Sequence, residues 1–109
     1  MPNADTIHLI LRQPNTSSSK EARRQNLKTT HTIVMLLGDN LSDFSALFDK
    51  KSYEERLQNT NRAAGEFGNT FIILPNPVYG DWEPALFQYN YKLTPAQKDS
   101  ILKNWLKTY

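Results

Sequence analysis

Three short apolar runs punctuate the chain: Ile7 to Arg12, broken by Pro14 and Asn15; Ile33 to Leu37, unbroken; and Phe71 to Leu74, closed by Pro75-Asn76-Pro77. An unbroken run of this length suits a strand covered on both faces of a parallel sheet, because a half-exposed strand would alternate apolar and polar positions. The polar segments between the runs carry helix-start signals. Ser18 and Glu21 have capping-box spacing, Ser52 and Glu55 repeat it, and Thr94-Pro95-Ala96-Gln97 combines a cap, a proline at the first helical position and a reciprocal glutamine. The last of these helices would carry Ile101, Leu102, Trp105 and Leu106 on one face. Strand and helix alternating three times predicts an open α/β sheet. No internal repeat interrupts that pattern, and low complexity is confined to Ser17-Ser18-Ser19.

Composition narrows the function without supplying it. A chain of 109 residues is one domain at most, long enough to bury a modest core. Thirteen Lys and Arg against eleven Asp and Glu leave a net charge of +2, too weak to imply a nucleic-acid or membrane partner by bulk electrostatics. With no cysteine, disulfides and thiolate metal sites are excluded. The opening "MPNADTIHLIL" has neither a basic leader nor a long apolar stretch, and no window approaches the roughly 18 apolar residues of a membrane span. The chain therefore reads as carrying no targeting signal of its own.

The chemistry concentrates where the central run ends, in "GDNLSDF". In open α/β sheets ligands sit beyond the carboxyl ends of the strands. Gly38 would let the backbone turn there, Asp39 would face the crevice, and Asp43 would return on the first turn of the next helix. Two converging carboxylates suit a hard cation such as Mg²⁺, which takes oxygen ligands and keeps waters for a phosphate. The same spacing also fits plain capping, with Asp39 or Ser42 as the cap and Asp43 complementing the dipole. A calcium loop is excluded, since Leu41 occupies a ligand position and the required Gly and distal Glu are absent. Lys20 adds a second signal, for a cation in the first turn of a helix is disfavoured by the dipole unless an anion docks beside it. An ordinary solvated lysine is the competing reading. His8 and His31 lack ligand-spaced partners, Trp82 reads as core packing, and Tyr89 and Tyr91 read as packing or surface residues.

Taken together, "SSSK", "GDNLSDF" and "FGNTFIILPNPVYGDWE" closely resemble the carboxyl-terminal half of the class C acid phosphatases, the bacterial lipoprotein 5'-nucleotidases of the haloacid dehalogenase superfamily. The resemblance covers essentially the whole chain. It implies an α/β fold, a partial haloacid-dehalogenase-like Rossmannoid parallel sheet lacking its first two strands, with residues 1–109 as the carboxyl-terminal part of a single acid phosphatase domain. It further implies that Asp39 ligates Mg²⁺, Asp43 orders the site around it, Lys20 neutralises the transferring phosphoryl group, and Tyr79 stacks on a nucleotide base.

One departure qualifies the likeness. Family members begin catalysis from an Asp-x-Asp motif on their first strand, and no Asp-x-Asp occurs in this sequence. The expectation is a fragment of a Mg²⁺-dependent acid phosphatase or 5'-nucleotidase. Its partners would be a phosphomonoester or nucleotide and the missing amino-terminal half of the same domain. In the complete protein the resemblance implies an aspartyl-phosphate intermediate. It also implies export of the full-length parent to the periplasm or outer membrane, held to the membrane only through a lipid anchor. Without its first strand, the run Ile33 to Leu37 would lose a central neighbour and the fragment would be marginally stable. A non-catalytic remnant or nucleotide-binding interaction module is the alternative reading.

Overall fold

A computed structural model of the chain describes Pro14 and residues 17–106. The expected first strand, Ile7 to Arg12, lies outside them, as does His8. The described elements are helix α1 (Glu21–Lys28), strand β1 (Leu36–Gly38), helix α2 (Tyr53–Arg62), strand β2 (Phe71–Ile73), and helices α3 (Trp82–Leu86) and α4 (Pro95–Trp105). Single 3₁₀ turns at Leu41–Asp43, Ala46–Phe48 and Ala64–Glu66 join them. β1 and β2 run parallel, with Leu36 opposite Phe71, Leu37 opposite Ile72 and Gly38 opposite Ile73, and α2 lies on the crossover between them. The fold is mixed helix and strand around a small parallel sheet, as the α/β expectation requires.

Two of the three predicted capping boxes form. Ser52 Oγ accepts the Glu55 N–H at 3.2 Å while Glu55 accepts the Ser52 N–H at 2.9 Å. At α4, Thr94 Oγ1 accepts the Gln97 N–H and Gln97 Oε1 accepts the Thr94 N–H, with Pro95 opening the helix. The Ser18–Glu21 box does not form. Helix α1 starts two residues later, with Lys20 at the N-cap position, and it is Ser19, just ahead of it, whose Oγ accepts the Glu21 N–H at 3.3 Å and donates to Asp49 at 2.6 Å. Competition from Asp49, a partner 30 residues away, is invisible to local spacing.

Aromatic rings join β2 to the turns around it. Phe44 stacks on Phe71 with centroids 5.0 Å apart, and Phe67 meets both edge-on, 6.1 Å from Phe44 and 5.7 Å from Phe71. Such pairs contribute roughly 0.5–1.5 kcal/mol beyond the area they bury. α4 docks through Trp105, whose ring lies 4.7 Å from that of Tyr53 and whose indole N–H donates to the Leu86 carbonyl at 3.3 Å. Leu106, expected on the same face, falls past the helix end and is exposed.

The apolar expectation for the central strand fails on one point. Regular pairing spans only Leu36–Gly38, and Val34 and Leu37 are 79% and 64% exposed. Among the described residues the sheet has two strands, so β1 is paired on one edge and nothing closes over its outer flank. Among the described residues the buried apolar side chains are Phe44, Phe48, Ala85 and Phe87. The Cα radius of gyration of 16.6 Å fits this open core, against about 13 Å for a compact domain of this length.

Candidate active site

The carboxyl end of β1 delivers the first candidate residues. Asn40, in extended conformation, caps the turn Leu41–Asp43, its side chain accepting the Ser42 N–H. The reciprocal acceptor is Asp43, whose Oδ2 takes the N–H groups of both Asp39 and Asn40 at 3.2 Å. Capping is real, but neither Asp39 nor Ser42 performs it: Asn40 does, freeing Asp39. The segment after β1 is also a single 3₁₀ turn and not the start of a long helix. Gly38 is required for closeness, because its φ is not left-handed. A Cβ there would sit 2.5 Å from Asp43 Oδ2 and 2.9 Å from its Cγ.

Lys20 reaches this turn from α1. It occupies the N-cap position without capping, and its Nζ lies 2.6 Å from Asp43 Oδ1. The side chain of Lys20 is 54% exposed while that of Asp43 is 11% exposed, so the ammonium faces outward over a nearly covered carboxylate. One carboxylate therefore links the two residues of interest, holding the Lys20 ammonium with one oxygen and the Asp39 backbone with the other. Beneath them, buried Arg24 fixes α1 to the turn by donating to the carbonyls of Asp43 at 2.7 Å and Ser42 at 3.2 Å, while pairing with Glu21 at 2.6 Å. Glu21 also accepts from Gln25 and from the Ala46 N–H. These bonds, that from Gln25 foremost and those from Arg24 next, hold its carboxyl down at about 2.

Asp39 itself is exposed, and its Oδ2 accepts from the Asn76 side-chain amide at 2.9 Å. The other end of that amide accepts the N–H groups of Val78 and Tyr79, and the Asn76 carbonyl accepts the Trp82 indole N–H at 3.2 Å. The loop after β2 is thereby tied to Asp39. Tyr79 stands on this loop 67% exposed, and it lines none of the three cavities that flank the site. One cavity, about 530 Å³, is mainly apolar, with Leu41, Leu57, Ile73 and Trp82 in its walls and Asp39 at its rim. A second, about 340 Å³, is polar and contains Lys20, Asp43, Asp81, Tyr89 and Tyr91, and a third, about 250 Å³, sets Lys20 and Asp43 beside Leu27, Ile33, Leu36 and Leu37.

Among the described residues, no three His, Asp or Glu side chains are grouped to hold a metal. Mg²⁺ asks less, since one or two carboxylates with waters and substrate phosphate complete its shell. Asp43 has both oxygens committed, whereas Asp39 makes one hydrogen bond among the described residues, through Oδ2. Asp39 fits as the residue that would hold the ion. His31 is exposed on the surface beside Thr30.

The acid phosphatase profile of subfamily IIIB of the haloacid dehalogenase (HAD) superfamily matches residues 3–82. The chain belongs to this HAD acid phosphatase family. It is similar to the structure of the class C acid phosphatase from Bacillus anthracis, with 45% identity and a TM-score of 0.85 over 99% of this chain and 44% of that one. The crystal structure of class C acid phosphatase from the same organism with tungstate bound matches at 45% identity and a TM-score of 0.88, over 99% of this chain and 45% of that one. The chain thus spans less than half the length of these acid phosphatases.

Several residues around the site escaped the sequence reading. Arg24 and Arg56 are both buried, Arg56 donating to the Phe48 carbonyl at 3.0 Å. Arginine is ordinarily surface, and only the Glu21–Arg24 spacing hinted otherwise. Asn76 and Asp81 stand within the quoted FGNTFIILPNPVYGDWE stretch, but their roles had no local signal because their partners lie 37 and 39 residues away.

Proposed function

We propose that this chain supplies the metal-carboxylate and phosphate-lysine side of a Mg²⁺-dependent phosphomonoesterase site, acting on phosphomonoesters such as nucleoside monophosphates and aryl phosphates. One observation carries the reading: Asp43 bonds the Lys20 ammonium with one oxygen and the Asp39 N–H with the other. That linkage sets an exposed cation beside an exposed carboxylate at the end of a parallel strand, where α/β folds bind ligands. Family membership supports it, and so does the tungstate on the Bacillus anthracis enzyme, a tetrahedral oxyanion like phosphate.

In this reading Asp39 holds the ion, Lys20 faces the phosphoryl oxygens, and Asp43 keeps both in register. Mg²⁺, when bound, supplies charge neutralisation for phosphoryl transfer, a reaction that depends chiefly on positioning and electrostatics. The exposed ring of Tyr79 offers a stacking face for a nucleotide base. The nucleophile comes from residues beyond these 109, since the sequence holds no Asp-x-Asp to accept a phosphoryl group.

The test is reconstitution. Purified chain with Mg²⁺ is expected to show negligible hydrolysis of p-nitrophenyl phosphate. Turnover should appear when an Asp-x-Asp-bearing amino-terminal half of a class C acid phosphatase is added. Asp39→Asn or Lys20→Ala should then lower it by about a hundredfold or more. Robust hydrolysis by the chain alone, or reconstituted turnover indifferent to Lys20→Ala, overturns the assignment. Assembly of the two halves without any turnover would favour the non-catalytic module.

A further inference from the structure

Three hydrogen bonds fasten the loop between β2 and α3 to the turn after β1. At the start of the loop the Leu74 N–H donates to the Gly38 carbonyl at 2.8 Å, and at its end Asp81 accepts the Ser42 hydroxyl at 2.9 Å. Between them the side-chain amide of half-buried Asn76 donates to Asp39 Oδ2 at 2.9 Å. The outer two bonds leave the Asp39 side chain untouched. The middle one engages the carboxylate assigned above to the ion.

Asn76 works in two directions from that point. Toward the site it offers its amide N–H, and toward the loop its Oδ1 accepts the N–H groups of Val78 at 3.1 Å and Tyr79 at 3.3 Å. Its backbone carbonyl also accepts the Trp82 indole N–H at 3.2 Å. An unrestrained carboxylate turns about its side-chain bonds and presents either oxygen, or both, to a cation. Here the amide occupies Oδ2, and Oδ1 has no hydrogen bond among the described residues. Asp39 therefore offers a cation one open oxygen in a fixed direction. Holding an ion through both oxygens would cost the amide its acceptor and the loop its middle anchor.

We infer that Asn76 is a positioning residue. Its amide reserves Asp39 Oδ2 and presents Oδ1 to the cation, and its Oδ1 and carbonyl tie that occupancy to the order of residues 78–82. The inference rests on Asp39 as the residue that holds the ion.

NMR titration of the isotope-labelled full chain with MgCl₂ tests it. The Asp39 carboxylate and the Trp82 indole N–H should respond on one binding curve, and solvent exchange of the Val78 and Tyr79 N–H groups should slow by about threefold or more. Asn76→Ala should weaken Mg²⁺ about tenfold, as loss of a partner that orients a metal-binding group does, and should silence the Trp82 response. Ser42→Ala frees the same loop at its far end but keeps the amide on Asp39, so it should weaken Mg²⁺ by about threefold at most. If Asn76→Ala does not fold, the titration of the unaltered chain decides alone. An Asp39 response without any change at Val78, Tyr79 and Trp82, or equal weakening by the two substitutions, overturns the inference and leaves Asp39 as the ion's residue. An Asp39 carboxylate indifferent to Mg²⁺ overturns both.

Discussion

The corner around Asp43 and the outer flank of β1 lie within a few residues of each other, yet they are finished to different degrees. At the corner every charged group has a partner: Lys20 on Asp43, Arg24 on two carbonyls and Glu21, Asp39 on Asn76. On the flank, Val34, Met35 and Leu37 are exposed among the described residues. Polar groups can satisfy one another through a few directional bonds, whereas apolar surface needs area, and two short strands supply little. The candidate site is therefore built before the core that should support it.

The sharpest way to break this contrast is at Gly38. Gly38→Ala forces a Cβ into Asp43, and overpacking of that kind costs about 3 kcal/mol. In a chain with so small a core we expect loss of cooperative folding, read by backbone NMR. A folded Gly38→Ala variant with Asp43 still bonded to Asp39 would show the corner to be looser than drawn. Next comes Arg24→Met, which strips the carbonyls of Ser42 and Asp43 of their donor. We expect about 2 kcal/mol of destabilisation by urea titration, and a change under half that size would remove Arg24 as the base of the site.

A smaller effect tests the same corner by pH. The folded-state carboxyl of Glu21 titrates at about 2, below the 4.5 of an unconstrained glutamate. Its contribution is therefore complete above pH 4.5 and drains away as pH falls toward 2. Thermal melts should drop through that window, and Glu21→Gln should flatten the drop. The smallest effect belongs to the flank. Val34→Lys adds charge to a side chain that is 79% exposed, so stability should change by no more than about 0.5 kcal/mol. Self-association, seen by sedimentation, should fall. A loss approaching that of Gly38→Ala would mean that the flank is already covered.

What could be read from the sequence followed the range of the interactions. The boxes at Ser52 and Thr94 involve residues three apart, and both appeared as spaced. The box at Ser18 did not, since Asp49 recruits Ser19 instead. β1 and β2 fell inside or beside their apolar runs, but the length of pairing depended on neighbours that no run can specify. Lys20, Asp39 and Asp43 stood out as candidates from motif spacing, and the fold links them through one carboxylate, while Asn76, which bonds Asp39, is set by loop geometry. Tyr89 and Tyr91 read as packing or surface residues, and the structure has one of each kind: Tyr89 is half-buried with its hydroxyl on the Asp81 carbonyl, and Tyr91 is exposed.

Asn76 is followed by Pro77, and that neighbour bears on how the protein ages. Spontaneous deamidation of asparagine runs through attack of the next residue's amide nitrogen on the side chain. Proline has no N–H to give up in that cyclisation. Were Asn76 to become aspartate, a second negative charge would stand where the amide now donates to Asp39 at 2.9 Å, repelling the carboxylate it positions. The Asn-Pro pair closes off that route of chemical decay at the amide that bonds Asp39.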